Sequence, residues 1–206
     1  MEPILPFIFA GAVGFGHAFE ADHLVAVGNI VTKRDRLKLA IKDGIFWGLG
    51  HTSTIVLIGA IMIIGKATFL NGYFGYFEAG VGLMLVVLGC YRLVQYFRNS
   101  KNTKSPGHKK HHHHMAYGIG FIHGLAGSGT MILLVMAEMN NGFNGMLYLL
   151  IFGIGSVIGM LIAAGIFSLP FSKKLNNNHK MQLGLVIFSS ILCIGYGGYI
   201  MVENLG

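Results

Sequence analysis

Long apolar stretches separated by short charged segments dominate the pattern of hydrophobic and polar positions along this chain. Each stretch reaches the roughly 20 residues that a helix needs to cross a bilayer. The pattern therefore predicts six transmembrane helices. In chain order they run from Ile4 to Ile30, Asp43 to Gly65, Gly72 to Phe97, Met115 to Glu138, Phe143 to Leu169 and Met181 to Val202.

Composition agrees with this pattern. Only 11% of the residues are charged and 53% are hydrophobic, whereas soluble domains are roughly 25% charged. The 31 glycines lie largely inside the apolar stretches, where small residues allow membrane helices to pack closely. We expect an all-α integral membrane protein.

The basic residues predict the orientation in the membrane. The loops after the first, third and fifth spans hold five, five and three Lys or Arg residues, and the opposite side holds only Lys66. Basic loops stay in the cytoplasm, so both termini are predicted to lie outside a prokaryotic plasma membrane. This placement also explains the net charge of +7 without a nucleic-acid partner.

The two halves of the chain resemble each other. Gly14 to His17 matches Gly120 to His123, and Gly48 to His51 matches Gly153 to Ser156, at offsets of 106 and 105 residues. Because each half has three spans, the second half enters the membrane from the opposite side. We predict two inverted three-helix repeats, an organisation common in secondary transporters, at 1–97 and 115–206, joined by a His- and Lys-rich cytoplasmic loop at 98–114.

The most informative stretch lies inside the first predicted span. His17, Glu20, Asp22 and His23 stand within seven residues, and ionisable groups inside a span mark functional sites by default. Imidazole and carboxylate together suit a divalent transition metal. The alternative is a polar cluster that only ties helices together, but four ionisable groups are many for that role.

Helix geometry adds a structural prediction. In a straight helix His17 and His23 would lie about 9 Å apart along the axis and about 120° apart around it, whereas ligand nitrogens sit roughly 2 Å from a metal. We therefore predict a distorted helix at Glu20 to Asp22. Glu20, three residues from each histidine, can reach either ring in a regular helix.

Other polar residues extend this candidate site. His51 is either a further metal ligand or a histidine that donates a hydrogen bond to a first-span carboxylate. His123 occupies the place of His17 in the second repeat without the acidic residues. We therefore expect it, with Ser128, to line the path or to support the ligands, and the alternative is that His123 binds the metal directly. Thr52 and Ser53 follow His51 and are kept as pathway candidates, although such hydroxyls usually bond to their own backbone.

A histidine tract lies in the predicted cytoplasmic loop. Such tracts bind transition metals, and the alternative is a solvated basic loop without a role. We expect cytoplasmic metal buffering rather than transport from this tract. Its histidines are His108, His111, His112, His113 and His114.

These motifs resemble the nickel/cobalt transporter family, and within it the six-span UreH-type urease accessory permeases. His17 to His23 is similar to the family's His-x4-Asp-His signature, Gly48 to Thr54 to its second-span Gly-His-Ser/Thr signature, and Phe121 to Ser128 to the His-Gly-Leu-Ala-Gly-Ser stretch of UreH-type members. Glu20 departs from the Asp that many members carry. The resemblance implies uptake of Ni(II) or Co(II), held first by His17, Asp22 and His23 and next by His51, and cytoplasmic metallochaperones or urease maturation proteins as partners.

We therefore expect a metal permease with no resident cofactor and no enzymatic activity. The chain has no phosphate-binding G-x-x-x-x-G-K-[ST] loop. Cys90 and Cys193 lack the C-x-x-C spacing of redox centres. Two alternatives remain open, namely a nickel/cobalt efflux protein and a metal-binding membrane subunit of a multi-component importer.

Overall fold

A computed structural model describes residues 4–31, 36–65, 72–101, 113–125, 141–171 and 179–206. This part of the chain is all-helical, with seven α-helices and a short 3₁₀ turn at Leu169–Phe171. The helices are α1 (Leu5–His17), α2 (Ala21–Val31), α3 (Leu37–Gly65), α4 (Phe74–Lys101), α5 (His113–His123), α6 (Gly142–Ser168) and α7 (His179–Leu205).

Within the part of the chain that the structure describes, four helices are long and apolar enough to cross a membrane. They correspond to the predicted second, third, fifth and sixth spans, and their membrane-compatible segments are Leu37–Ile63, Phe74–Arg98, Gly142–Ser168 and Met181–Leu205. Observed and predicted bounds differ by a few residues, most at α3, which begins six residues before Asp43. Of the predicted fourth span the structure describes α5 and Gly124–Leu125, and the remainder lies outside the described residues.

The first predicted span is interrupted. A distortion there was predicted from the distance between His17 and His23 in a straight helix. It forms two short apolar helices, α1 and α2, rather than one. At the break the amide of Phe19 donates to the carbonyl oxygen of Gly16, and that of Glu20 to His17, so the helix ends in tight i to i−3 bonds. The interruption at Ala18–Glu20 begins two residues before the predicted position.

The helices pack in a pattern that relates the two halves of the chain. Helix α1 packs against α6, and α5 packs in the same way against α3. Helices α3 and α6 also pack against each other, as do α4 and α7. Helix α2 lies against both α6 and α7 and makes smaller contacts with α3 and α4, so the helix that follows the break in the first span touches all four long helices.

Glycines make the closest of these helix contacts. A Cβ atom on Gly14 would overlap the carbonyl oxygen of Phe152, and one on Gly120 would overlap the carbonyl oxygen of Trp47. The two contacts are equivalent under the sequence offsets of 106 and 105 residues. Only glycine lets the backbones approach this far, so these positions set how near the site residues of adjacent helices come.

Candidate metal site

Three buried imidazoles meet where the first span breaks. His17 ends α1, His23 lies in the first turn of α2, and His51 lies in the middle of α3. One ligand nitrogen from each ring lies within 4.8 Å of the others. The ring centroids are 4.5 Å apart for His17 and His23, 5.3 Å for His17 and His51, and 5.0 Å for His23 and His51. We call these residues the imidazole triad.

The arrangement suits a transition metal. Nitrogen ligands lie about 2.1 Å from such an ion, so ligand atoms on one ion are roughly 3 to 4 Å apart. The triad therefore needs only small movements to close on a metal. A straight helix would hold His17 and His23 too far apart, and the break in the first span removes that obstacle.

Carboxylates orient two of the triad histidines. Oε1 of Glu20 lies 2.9 Å from Nδ1 of His17, and Oδ1 of Asp22 lies 2.9 Å from Nδ1 of His23. A carboxylate only accepts hydrogen bonds, so in a neutral imidazole the bonded nitrogen carries the hydrogen and the opposite nitrogen carries a lone pair. This is the arrangement by which proteins prepare histidines for metals.

The second oxygen of Asp22 binds a histidine from the other half of the chain. Nε2 of His123, at the end of α5, lies 2.9 Å from Oδ2 of Asp22. Ligand atoms of Asp22, His23 and His123 also lie within 4.8 Å of one another, and we call these three residues the Asp22 group. One of the two roles predicted for His51 was to donate a hydrogen bond to a first-span carboxylate. In the structure His123 makes that hydrogen bond.

Several nitrogens in this cluster have no partner. Among the described residues, Nε2 of His17, Nε2 of His23, Nδ1 of His123 and both ring nitrogens of His51 are buried without a hydrogen bond. Buried polar atoms are nearly always satisfied in native proteins, and each exception needs an explanation. The lone pairs among these nitrogens are of the kind that bind a transition-metal ion, so the cluster could hold one.

An acidic cavity of about 390 Å³ borders the Asp22 group. Its wall includes Glu20 from the break, Asp22 from the first turn of α2, Glu78 from α4, and Glu203 with Asn204 from α7. The Asp22 side chain is 20% exposed, whereas those of His23 and His123 are at most 1% exposed. Asp22 is therefore the member of its group that solvent in the cavity reaches.

The sequence did not single out Glu78 and Glu203. They lie near the ends of the third and sixth spans, far apart in the chain, and only the packing of α4 against α7 brings them to one cavity. Their signal in the sequence was that both are carboxylates at the membrane end opposite the basic loops.

The hydroxyl candidates bond elsewhere. Thr52 Oγ1 donates to the carbonyl oxygen of Gly153 on α6, and Ser53 Oγ donates to Leu49 in its own helix. Thr54 Oγ1 lies 2.6 Å from the carbonyl oxygen of Phe121 and so fastens α3 to the end of α5. Thr52 and Thr54 thus hold α3 to neighbouring helices beside the cluster.

The remaining predicted residues lie away from the cluster or outside the described residues. Ser128, His108, His111 and His112 are not among the described residues, and of His113 only the backbone is described. His114 is exposed in the first turn of α5. The two cysteines are free thiols, Cys90 exposed and Cys193 buried.

This fold and site define a class of protein. Several apolar spanning helices enclose buried ionisable groups, which is the organisation of a multi-pass membrane protein with a polar site at its centre. The chain belongs to the family described as the cytochrome c biogenesis protein transmembrane region, which it matches over residues 25–199.

Two curated relatives are similar to this chain. The urease accessory protein UreH of Bacillus sp. (strain TB-90) is 35% identical over 174 residues, which cover 78% of this chain and 75% of that protein. The chloroplast protein FOR GROWTH AND FERTILITY 2 of Arabidopsis thaliana is 25% identical over 197 residues, which cover 89% of this chain and 52% of that protein. No solved structure matches the chain.

These similarities confirm part of the resemblance read from the motifs. The likeness to a UreH protein is confirmed, and the matching family model describes a transmembrane region. The chain is therefore a membrane protein, and its likeness to a urease accessory protein is consistent with the expectation that it is not an enzyme. The relatives do not name the wider nickel/cobalt transporter family, which stays a prediction.

Proposed function

We propose that this chain is a permease that carries Ni(II) or Co(II) across the plasma membrane of a prokaryote into the cytoplasm. The observation that carries the proposal is the imidazole triad, with its unpartnered nitrogens buried at a break in a membrane helix. Discontinuous helices at the middle of the membrane are where secondary transporters hold their ions. The relative named as a urease accessory protein adds support, since we expect such a protein to supply metal.

We further propose that the bundle is built from two inverted repeats, 1–97 and 115–206, linked by the loop at 98–114. The paired packing of α1 on α6 and of α5 on α3 supports this arrangement. So does the equivalence of the Gly14 and Gly120 contacts. The predicted orientation, with both termini outside, puts the acidic cavity on the external side, because Glu78 lies near the start of α4 and Glu203 near the end of α7.

Energy would come from the membrane potential or an ion gradient. An inside-negative potential favours the inward movement of a cation by about 2.3 kcal/mol per charge per 100 mV. For a dication this amounts to roughly 4.6 kcal/mol. In this proposal, metallochaperones or urease maturation proteins receive the ion in the cytoplasm.

Uptake of radiolabelled nickel and cobalt into proteoliposomes that contain only this chain tests the proposal. We expect the unaltered chain to take up both metals. We expect His17→Ala and Asp22→Ala to abolish this uptake although both variants still insert into the membrane. His179→Ala, at the first residue of α7, is the matched control that removes an imidazole elsewhere. Normal uptake by His17→Ala or Asp22→Ala would contradict the assignment of the site.

The same assay separates the alternatives. A metal-binding subunit would bind the ion without carrying it into the vesicles. Direction is decided in cells, because loss of an importer gives resistance to nickel and cobalt, whereas loss of an exporter gives sensitivity.

A further inference from the structure

We infer that the cluster holds the transported ion at two successive positions. The outer position is the Asp22 group and the inner position is the imidazole triad. His23 is a ligand at both positions and stays bound to the ion as it moves from one to the other. This inference rests on the proposed function and adds to it a route and a role for His123.

The geometry separates the two positions. The two sets of ligand atoms that lie within 4.8 Å of one another have only His23 in common. The His23 ring centroid is 4.2 Å from that of His123 and 5.0 Å from that of His51, while the His51 and His123 centroids are 6.1 Å apart. His23 is thus the ring that lies nearest to both of the others, and it can serve as a ligand at either position.

The positions differ in chemistry. The outer position includes a carboxylate, so it offsets one charge of a dication and attracts the ion strongly. The inner position consists of three imidazoles and leaves the ion's charge uncompensated by its direct ligands. An ion therefore binds less tightly at the inner position, which lets it leave again, as transport requires.

The acidic cavity identifies the outer position as the first to fill. A dication with six waters occupies roughly 180 Å³ at about 30 Å³ per water, and the cavity of about 390 Å³ can hold it. Glu78 and Glu203 face this cavity together with Asp22. Carboxylates that line a cleft raise the local concentration of a cation and its rate of arrival. Asp22 is the first ligand to meet the ion, and the buried imidazoles then replace water.

Because His23 is shared, the two positions cannot both be complete at once. The ion advances when His17 and His51 take the places of Asp22 and His123 around it. One ion is therefore bound per chain at equilibrium, and removing one position leaves the ligands of the other.

Three variants test this inference on the full chain in lipid nanodiscs and in proteoliposomes. X-ray absorption of the cobalt-loaded protein reports the nitrogen and oxygen ligands, and radiolabelled cobalt reports binding and uptake. His51→Ala removes only the inner position, His123→Ala only the outer one, and His23→Ala both. His51→Gln and His123→Gln keep a polar side chain in place if an alanine variant fails to fold.

The two-position arrangement predicts a divided result. His51→Ala should still bind cobalt, with carboxylate oxygen in the ligand shell, but lose uptake. His123→Ala should keep an imidazole-rich shell and an affinity within about tenfold of the original, while its initial uptake falls about tenfold or more. His23→Ala should lose both binding and uptake.

Other outcomes overturn the inference. If His51→Ala abolishes binding as completely as His23→Ala, or if His123→Ala leaves both the shell and the uptake rate unchanged, there is a single position. If the unaltered chain binds neither nickel nor cobalt, the proposed function itself fails. If it binds and transports them but the variants behave alike, only the two-position inference fails.

Discussion

Replacing Gly120 by alanine tests whether close helix packing sets the geometry of the site. A Cβ atom at this position overlaps the carbonyl oxygen of Trp47 and lies 2.8 Å from both the carbonyl carbon and Cδ1 of that residue. Favourable carbon contacts are about 3.5 to 4.0 Å. Helices α3 and α5 must therefore separate by roughly 1 Å.

The separation has two expected costs. Overpacking of this kind destabilises a protein by about 1 to 3 kcal/mol, and the better helix propensity of alanine offsets at most about 1 kcal/mol. The Trp47 ring, whose centroid lies 5.6 Å from that of His23 and 5.7 Å from that of His123, moves with α3. A site loosened by about 1 Å loses function, so we expect metal affinity to fall about tenfold, or about 1.4 kcal/mol.

The chain supplies both the probe and the control. Trp47 is its only tryptophan, and Ni(II) or Co(II) bound beside it should quench its fluorescence, so the emission reports metal affinity as well as unfolding in detergent. Gly118→Ala is the control, because nothing lies within 4 Å of a Cβ atom there, in the same helix.

We expect Gly118→Ala to leave stability and affinity unchanged or slightly raised. If Gly120→Ala and Gly118→Ala unfold at the same temperature and bind metal equally well, the argument that glycine contacts position the site is refuted.

Three further predictions concern a helix-to-helix hydrogen bond, the acidic cavity and the histidine tract. Thr54→Val leaves the carbonyl oxygen of Phe121 without its 2.6 Å partner and should lower the unfolding free energy by about 1 to 3 kcal/mol, measured by thermal unfolding, whereas Thr54→Ser should not. Glu203→Gln should slow initial metal uptake a few-fold at low salt and less at high salt, with equilibrium binding unchanged; salt-independent uptake would contradict attraction by the cavity. Deleting residues 108–114 should reduce the metal retained in cells more than the initial uptake rate, and a complete loss of initial uptake would assign the tract to the transport route.

The sequence by itself determined the class of protein and most of its helices. Apolar length and charge placement are local properties, so the spans that became α3, α4, α6 and α7 could be predicted within a few residues. The break in the first span was also predictable, because two histidines six residues apart cannot share one ion on a straight helix. The glycine patterns predicted close helix packing but not which helices pack against each other.

Only the tertiary structure decided how the polar residues are grouped. The sequence left His51 between two roles and placed His123 on the path or behind the ligands. In the structure His51 joins the imidazole triad, and His123 reaches Asp22 over a separation of 101 residues. Glu78 and Glu203 likewise share a cavity only because α4 and α7 pack together. Such pairings depend on the rotation and separation of helices that are distant in the chain, and a local pattern of polar and apolar residues fixes neither.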